Sequence, residues 1–202
     1  MWSTSRIIVT PAASARERWP GTGPEVRPRR RRVDAGGVRQ TCCRSDEEAD
    51  QMEIVRGERE AQEIVGLHES VRMEDLRDFF PRAMAAAAAA LYERGMEPSG
   101  PGVALYEGMR AERFEVTAGY PVPAGAAPSD QVVAAMLPGG ATVEAVHVGP
   151  YDRLRESHAE LTVWFEENGM TPPATVWEEY VVGPDSLADP NGWQTRIVYP
   201  VG

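Results

Sequence analysis

Cysteine is nearly absent from this 202-residue chain: the only two, Cys42 and Cys43, are adjacent, closer through the backbone than disulfide geometry prefers. A disulfide framework is excluded. Long apolar runs are missing too. The longest, Ala83 to Leu91, is mostly alanine and too short to span a bilayer, and Ile7-Ile8-Val9 is too short for a signal-peptide core. No membrane partner is expected, and the expected location is cytoplasmic. Lysine does not occur; arginine supplies every basic residue, a bias expected of a GC-rich genome. Residues 52–202 hold 11 Arg against 24 Asp and Glu, a net of −13, so this part offers no basic face to nucleic-acid phosphates. That acidity is compatible with cationic partners. There is no Gly-rich phosphate loop, no nucleophile elbow, and no Cys or paired-His spacing suited to a metal. No cofactor or metal is expected, and His68, His147 and His158 read as structural.

The chain is uneven. Residues 1–51 carry 10 Arg and 7 acidic residues, including the run Arg29 to Arg32, and lack apolar periodicity. Composition predicts a disordered leader over 1–55, with the folded part over 56–202. The leader is expected to be dispensable, with Met52 as the true initiator; a functional basic arm is the alternative.

The folded part repeats itself. Gly95, Met96 and Pro98 recur as Gly169, Met170 and Pro172, and Tyr106 recurs as Tyr180, all 74 positions apart. Tyr120-Pro121-Val122 recurs as Tyr199-Pro200-Val201, and a strand-like run ending at His68 recurs at His147, both at an offset of 79. A duplicated unit implies two packed copies with a groove between them. Each copy reads strand, helix, strand, strand. In the first, about 60–122, these are Gln62 to His68, Met73 to Arg94, Gly102 to Tyr106 and Arg113 to Tyr120. In the second, about 140–202, they are Thr142 to Val148, Asp152 to Asn168, Val176 to Val182 and Trp193 to Tyr199. Apolar spacing of three and four marks the helices, and Gly95 and Gly169 stop them. A Pro/Gly/Ala-rich connector, Val122 to Asp130, joins the copies. The predicted class is α+β, with duplicated modules forming a curved antiparallel sheet, two main helices and a central groove.

Several motifs occur together in this part: His147-Val148-Gly149-Pro150-Tyr151-Asp152, Trp164, Glu167-Asn168-Gly169, Trp177-Glu178-Glu179-Tyr180, and Trp193 through Val201. In this order they resemble the GyrI-like effector-binding family, over about residues 60–202. The resemblance implies two strand-helix-strand-strand modules around a groove that takes bulky, planar, often cationic or electrophilic organic molecules. Regulator members carry a helix-turn-helix domain before this one, for which the leader here has no helical pattern. Some stand-alone members hydrolyse cyclopropane-bearing natural products. The family often has an acid between the Thr and Ile of the last-strand motif, where this chain has Arg196; that departure lowers the enzyme reading.

By position, Glu178 matches the family's groove carboxylate. Strand alternation places Glu178 and Tyr180 on one face, with Trp177 and Glu179 opposite, without saying which face is buried. Aligning Tyr106 with Tyr180 sets Ala104 against Glu178, so the expected groove has a carboxylate on one side and a methyl on the other. Tyr106, Tyr180 and Trp193 are candidates to stack on a cation or to fill the core, and Tyr151 to line the groove's end or fix its turn. The expected function is binding of a small organic ligand by Glu178, Tyr180, Tyr106, Trp193 and Tyr151. One alternative is a hydrolase with Glu178 directing water, and another is a protein module acting on a topoisomerase.

Overall fold

The computed structural model describes residues 52–110, 113–125 and 131–202; the expected leader up to residue 51, with both cysteines, lies outside them. Eight strands and two α-helices follow in order: β1 Ile54–Arg59, β2 Gln62–Val71, α1 Leu76–Tyr92, β3 Gly102–Arg110, β4 Arg113–Pro121, β5 Val133–Leu137, β6 Gly140–Val148, α2 Leu154–Glu167, β7 Thr175–Val182 and β8 Gln194–Pro200. All strands join one antiparallel sheet in the order β1-β6-β8-β7-β3-β4-β2-β5, curled into a half-barrel with the helices packed on it. No helix among the described residues is long and apolar enough to cross a membrane.

The order reads the same from either end once β1, β6, β8 and β7 are matched with β5, β2, β4 and β3. At its centre β3 pairs with β7, and Ala104 lies directly across from Glu178. These two positions also correspond at the 74-residue offset, so the pseudo-two-fold axis passes between them. Ala104 is therefore a direct cross-strand neighbour of Glu178, not the opposite wall of a groove.

Two strands escape the sequence reading. β1 begins at Ile54, so the expected boundary at 55/56 falls inside an element, and β5 follows the connector. Neither has a strong alternation: β1 is Ile-Val-Arg-Gly-Glu-Arg and β5 is Val-Ala-Ala-Met-Leu. Pairing creates them instead. β1 is joined to β2 by Glu60 and Ala61 yet pairs with β6, while β5 pairs with β2. A single register runs from Ile54↔Ala145 through Arg59↔Gly140 and Gln62↔Leu137 to Gly66↔Val133. The two arms thus cross and trade edges. A Cβ at Gly139 would stand 2.7 Å from the Ala61 backbone nitrogen, so glycine is needed where the chains pass.

The histidine correspondence is corrected by one residue. Leu67 pairs with Ala118 and Ala145 pairs with Ile197. Ala118 and Ile197 are equivalent positions in β4 and β8, so β2 maps onto β6 at an offset of 78, and His147 matches Glu69 rather than His68. A one-residue slip reverses every side chain. His147 accordingly faces α2, where Nδ1 lies 2.8 Å from Ser157 Oγ, whereas His68 is on the other face, 3.0 Å from Thr117 Oγ1.

The helix lengths explain why the offset changes. At the starts, Leu76 and Leu154 are 78 apart; at the ends, Gly95 and Gly169 are 74 apart, so α1 carries one extra turn. Both glycines have positive φ, 63° and 67°, and the next residue returns its N–H to the helix, Met96 to Leu91 O and Met170 to Phe165 O. The helices cover one face of the sheet. Phe79, Ala83 and Ala87 of α1, and Leu161 and Phe165 of α2, are essentially inaccessible there, and truncating either Phe costs about 3–5 kcal/mol. The opposite face holds a smaller core of Ile64, Val103, Leu105, Leu137, Trp177 and Val198.

Candidate functional site

β7 decides the arrangement. Its alternation sends Trp177 and Glu179 to the face away from the helices and sends Val176, Glu178 and Tyr180 toward them. Glu178 is a carboxylate only 5 % exposed at the pseudo-two-fold axis. Oε2 accepts from Tyr106 OH of β3 at 3.1 Å and from Tyr180 OH at 2.8 Å. Oε1 faces Nε2 of His158 from α2 at 2.8 Å, and His158 Nδ1 lies 3.0 Å from Tyr199 OH of β8. Tyr199, His158 and Glu178 form a consistent chain with a neutral imidazole: Tyr199 donates to Nδ1, and Nε2–H donates to Glu178.

The electrostatics are unusual for a buried acid. Buried carboxylates are ordinarily matched by Arg or Lys. Here three hydrogen-bond donors surround Glu178, and the sole ion-pair partner among the described residues is His158. The surrounding phenols register the same field. Burial, and then the Glu178 charge, push Tyr106 and Tyr180 well above the ordinary phenol value and Tyr199 up to about 12. They are hydroxyl donors at any physiological pH.

Aromatic rings continue outward from this centre. Tyr180 meets Phe80 of α1 at 5.9 Å and Tyr151 at 5.5 Å, and Tyr151 meets Trp193 at 4.7 Å. Trp193 is held by its indole N–H to Leu187 O. All five sequence-predicted residues come together, Glu178, Tyr106 and Tyr180 by hydrogen bonds and Tyr151 and Trp193 through ring contacts. Sequence reasoning missed His158, Tyr199 and Phe80. Phe80 and His158 are equivalent at the 78-residue helix offset, so the site's asymmetry lies in its helices: α1 brings an apolar ring and α2 an imidazole. The signal available in the sequence was His158 four residues after Leu154, on the stripe that packs on the sheet.

The residue that departs from the family pattern, Arg196, is on the other face of β8. It donates to Glu179 at 2.8 Å, while Arg59 of β1 grips Glu144 of β6 at 2.7 and 2.5 Å. Together with Glu53, Val55 and Val146, Arg59, Glu144 and Arg196 line a cleft of about 420 Å³ on this face. Arg196 therefore has no contact with Glu178, and the four charges compensate one another across β1, β6, β8 and β7. No cluster of His, Cys, Asp and Glu suited to a metal occurs among the described residues.

Comparison with known proteins agrees with this layout. The fold is similar to the C-terminal domain of EcmrR, at 19 % identity and a TM-score of 0.62, covering 75 % of this chain and 98 % of that one. In the EcmrR–DNA complex the match spans 57 % of the EcmrR chain, so the similarity covers little more than half of that protein. SAV2435 bound to tetraphenylphosphonium is similar at 11 % identity and a TM-score of 0.56, over 76 % of this chain and 94 % of that one. A hydrolase from Listeria innocua is similar at 12 % identity and a TM-score of 0.50, over 77 % and 94 % of the two chains. No curated protein matches. The sequence of residues 52–201 matches the GyrI-like small molecule binding domain, and with the duplicated sheet, the paired helices and the carboxylate on the axis between them, the chain belongs to that family.

Proposed function

We propose that this protein binds a bulky, aromatic organic cation at Glu178, between the two modules. One observation carries the reading: a carboxylate 5 % exposed, without an Arg partner among the described residues, is ringed by Tyr106, Tyr180, Tyr199 and His158. A desolvated negative charge is costly until a cation joins it, and a delocalised organic cation fits without adding another hydrogen bond. Tyr180, Tyr151, Phe80 and Trp193 supply rings, and a cation over the face of one gains about 0.5–2 kcal/mol. The tetraphenylphosphonium held by SAV2435 supports the same ligand class. Binding of such compounds would serve their sequestration or sensing.

Titration of tetraphenylphosphonium and of a neutral analogue of equal size tests this. Glu178→Gln keeps the shape and removes the charge, so cation affinity should fall about tenfold to a hundredfold and neutral affinity much less. Equal losses for both ligands would show that shape alone matters.

A second reading is favoured by the 2.8 Å His158–Glu178 contact. A carboxylate and an imidazole in hydrogen-bond contact, beside two phenolic donors, form a set able to activate water and to stabilise an oxyanion. The hydrolase from Listeria innocua has a similar fold. In that case Glu178→Gln retains binding of a strained electrophile and abolishes its turnover to a hydrated product.

A further inference from the structure

His158 differs from the other donors around Glu178 because an imidazole, unlike a phenol, has a protonated form that carries a positive charge. Its side chain is 26 % exposed against 6 % for Glu178, so it is the more accessible member of the pair. The titratable groups facing it are Glu178 of β7 and Tyr199 of β8, with Tyr180 of β7 and Tyr106 of β3 bonded to the same carboxylate. From α1 the site receives Phe80, which carries no charge. On α2 itself the flanking charged residues Arg155, Glu156 and Glu160 are exposed. The nearby His147 is bonded to Ser157 and Pro150 instead.

We propose that His158 is a built-in rival of the ligand cation: neutral, it leaves Glu178 as an uncompensated countercharge, and protonated, it occupies the ligand's electrostatic place. This inference rests on the cation-binding reading above and adds its regulation and specificity. A protonated imidazole 2.8 Å from Oε1 neutralises the carboxylate, so an organic cation must either displace that proton or bind beside a like charge. By linkage, cation binding then releases a proton wherever free His158 is charged, and affinity falls as pH falls. The site favours ligands with a permanent charge while His158 is neutral and lets them go once it is protonated.

Tetraphenylphosphonium is a suitable probe because its own charge does not titrate. The dissociation constant for the intact chain should rise about tenfold between about pH 8 and about pH 5, the interval over which imidazoles gain their proton. In His158→Gln, whose amide still reaches toward the carboxylate, the constant should be nearly flat over that interval. Calorimetry of the wild-type protein in two buffers of different protonation heat provides a measurement without a variant: a buffer-dependent binding heat in mild acid reports the released proton. Saturable binding with a flat profile and a buffer-independent heat overturns the role of His158 while leaving cation binding intact. A slope that persists in His158→Gln assigns the proton elsewhere and also overturns it. Absence of saturable binding at every pH overturns the cation reading and this inference with it.

Discussion

Tyr106 and Tyr180, 74 residues apart in the chain, donate to the same oxygen, Oε2 of Glu178, at 3.1 and 2.8 Å. They are equivalent positions of the two modules. The duplication has thus brought two copies of one hydroxyl onto a single carboxylate, which only one copy retains, because its counterpart is Ala104. A site on a pseudo-symmetry axis gains its donors in pairs while its acceptor remains single.

Removing these hydroxyls should be unequal in cost. Tyr106 is 9 % exposed, so Tyr106→Phe leaves a buried carboxylate short of a donor that water cannot easily replace, a loss of about 1.5–3 kcal/mol. Tyr180 is partly accessible, and Tyr180→Phe should cost less. Urea unfolding measures both, and on a Glu178→Gln background the Tyr106→Phe loss should shrink because no charge is left wanting.

Alkaline pH should unfold this protein through the same tyrosines. Burial and Glu178 raise the folded-state values of Tyr106, Tyr180 and Tyr199, the last to about 12. The unfolded chain releases those protons near the ordinary phenol value of about 10, so their contribution to stability is complete below that pH. It is lost as pH rises through the folded values. Melting temperature should therefore decline from about pH 10 upward, with the phenolate absorbance of these residues appearing together with unfolding.

On the opposite face, Arg59→Met should destabilise by about 1.5–3 kcal/mol at neutral pH, because Glu144 loses a two-point hydrogen bond in a poorly hydrated place. The Arg59 hydrogen bond is the largest cause holding the Glu144 carboxyl below its usual value. That stabilisation is present above the unfolded glutamate value and is lost as pH falls through the folded one. The wild type and variant should thus converge in acid, as denaturation at several pH values would reveal.

The crossing of β1 over the second module yields a truncation test. A chain beginning at Met52 keeps β1 and should melt within a few degrees of the full chain. One beginning at Gln62 loses the pairing of Ile54–Arg59 with β6 and the Arg59–Glu144 contact, and exposes the β6 edge. It should melt far lower or aggregate. Equal melting of the two would show that β1 is an accessory to the sheet.

Much of the architecture was legible because it rests on local rules. Gly95 and Gly169 adopt the positive φ that ends a helix, the helical stripes repeat every three or four residues, and strand alternation by itself places Glu178 and Tyr180 on one face. The internal repeat predicted two modules from spacing alone. What tertiary structure decided was of longer range. β1 and β5 have weak intrinsic patterns and exist because each completes the other module's edge, a pairing no local window contains. The His68–His147 match failed because a single-residue shift, invisible as sequence similarity, exchanges the two faces of a strand. His158 looked like core on its helix; its meaning came from a carboxylate twenty positions later, delivered to the same axis by the folding of β7 against β3.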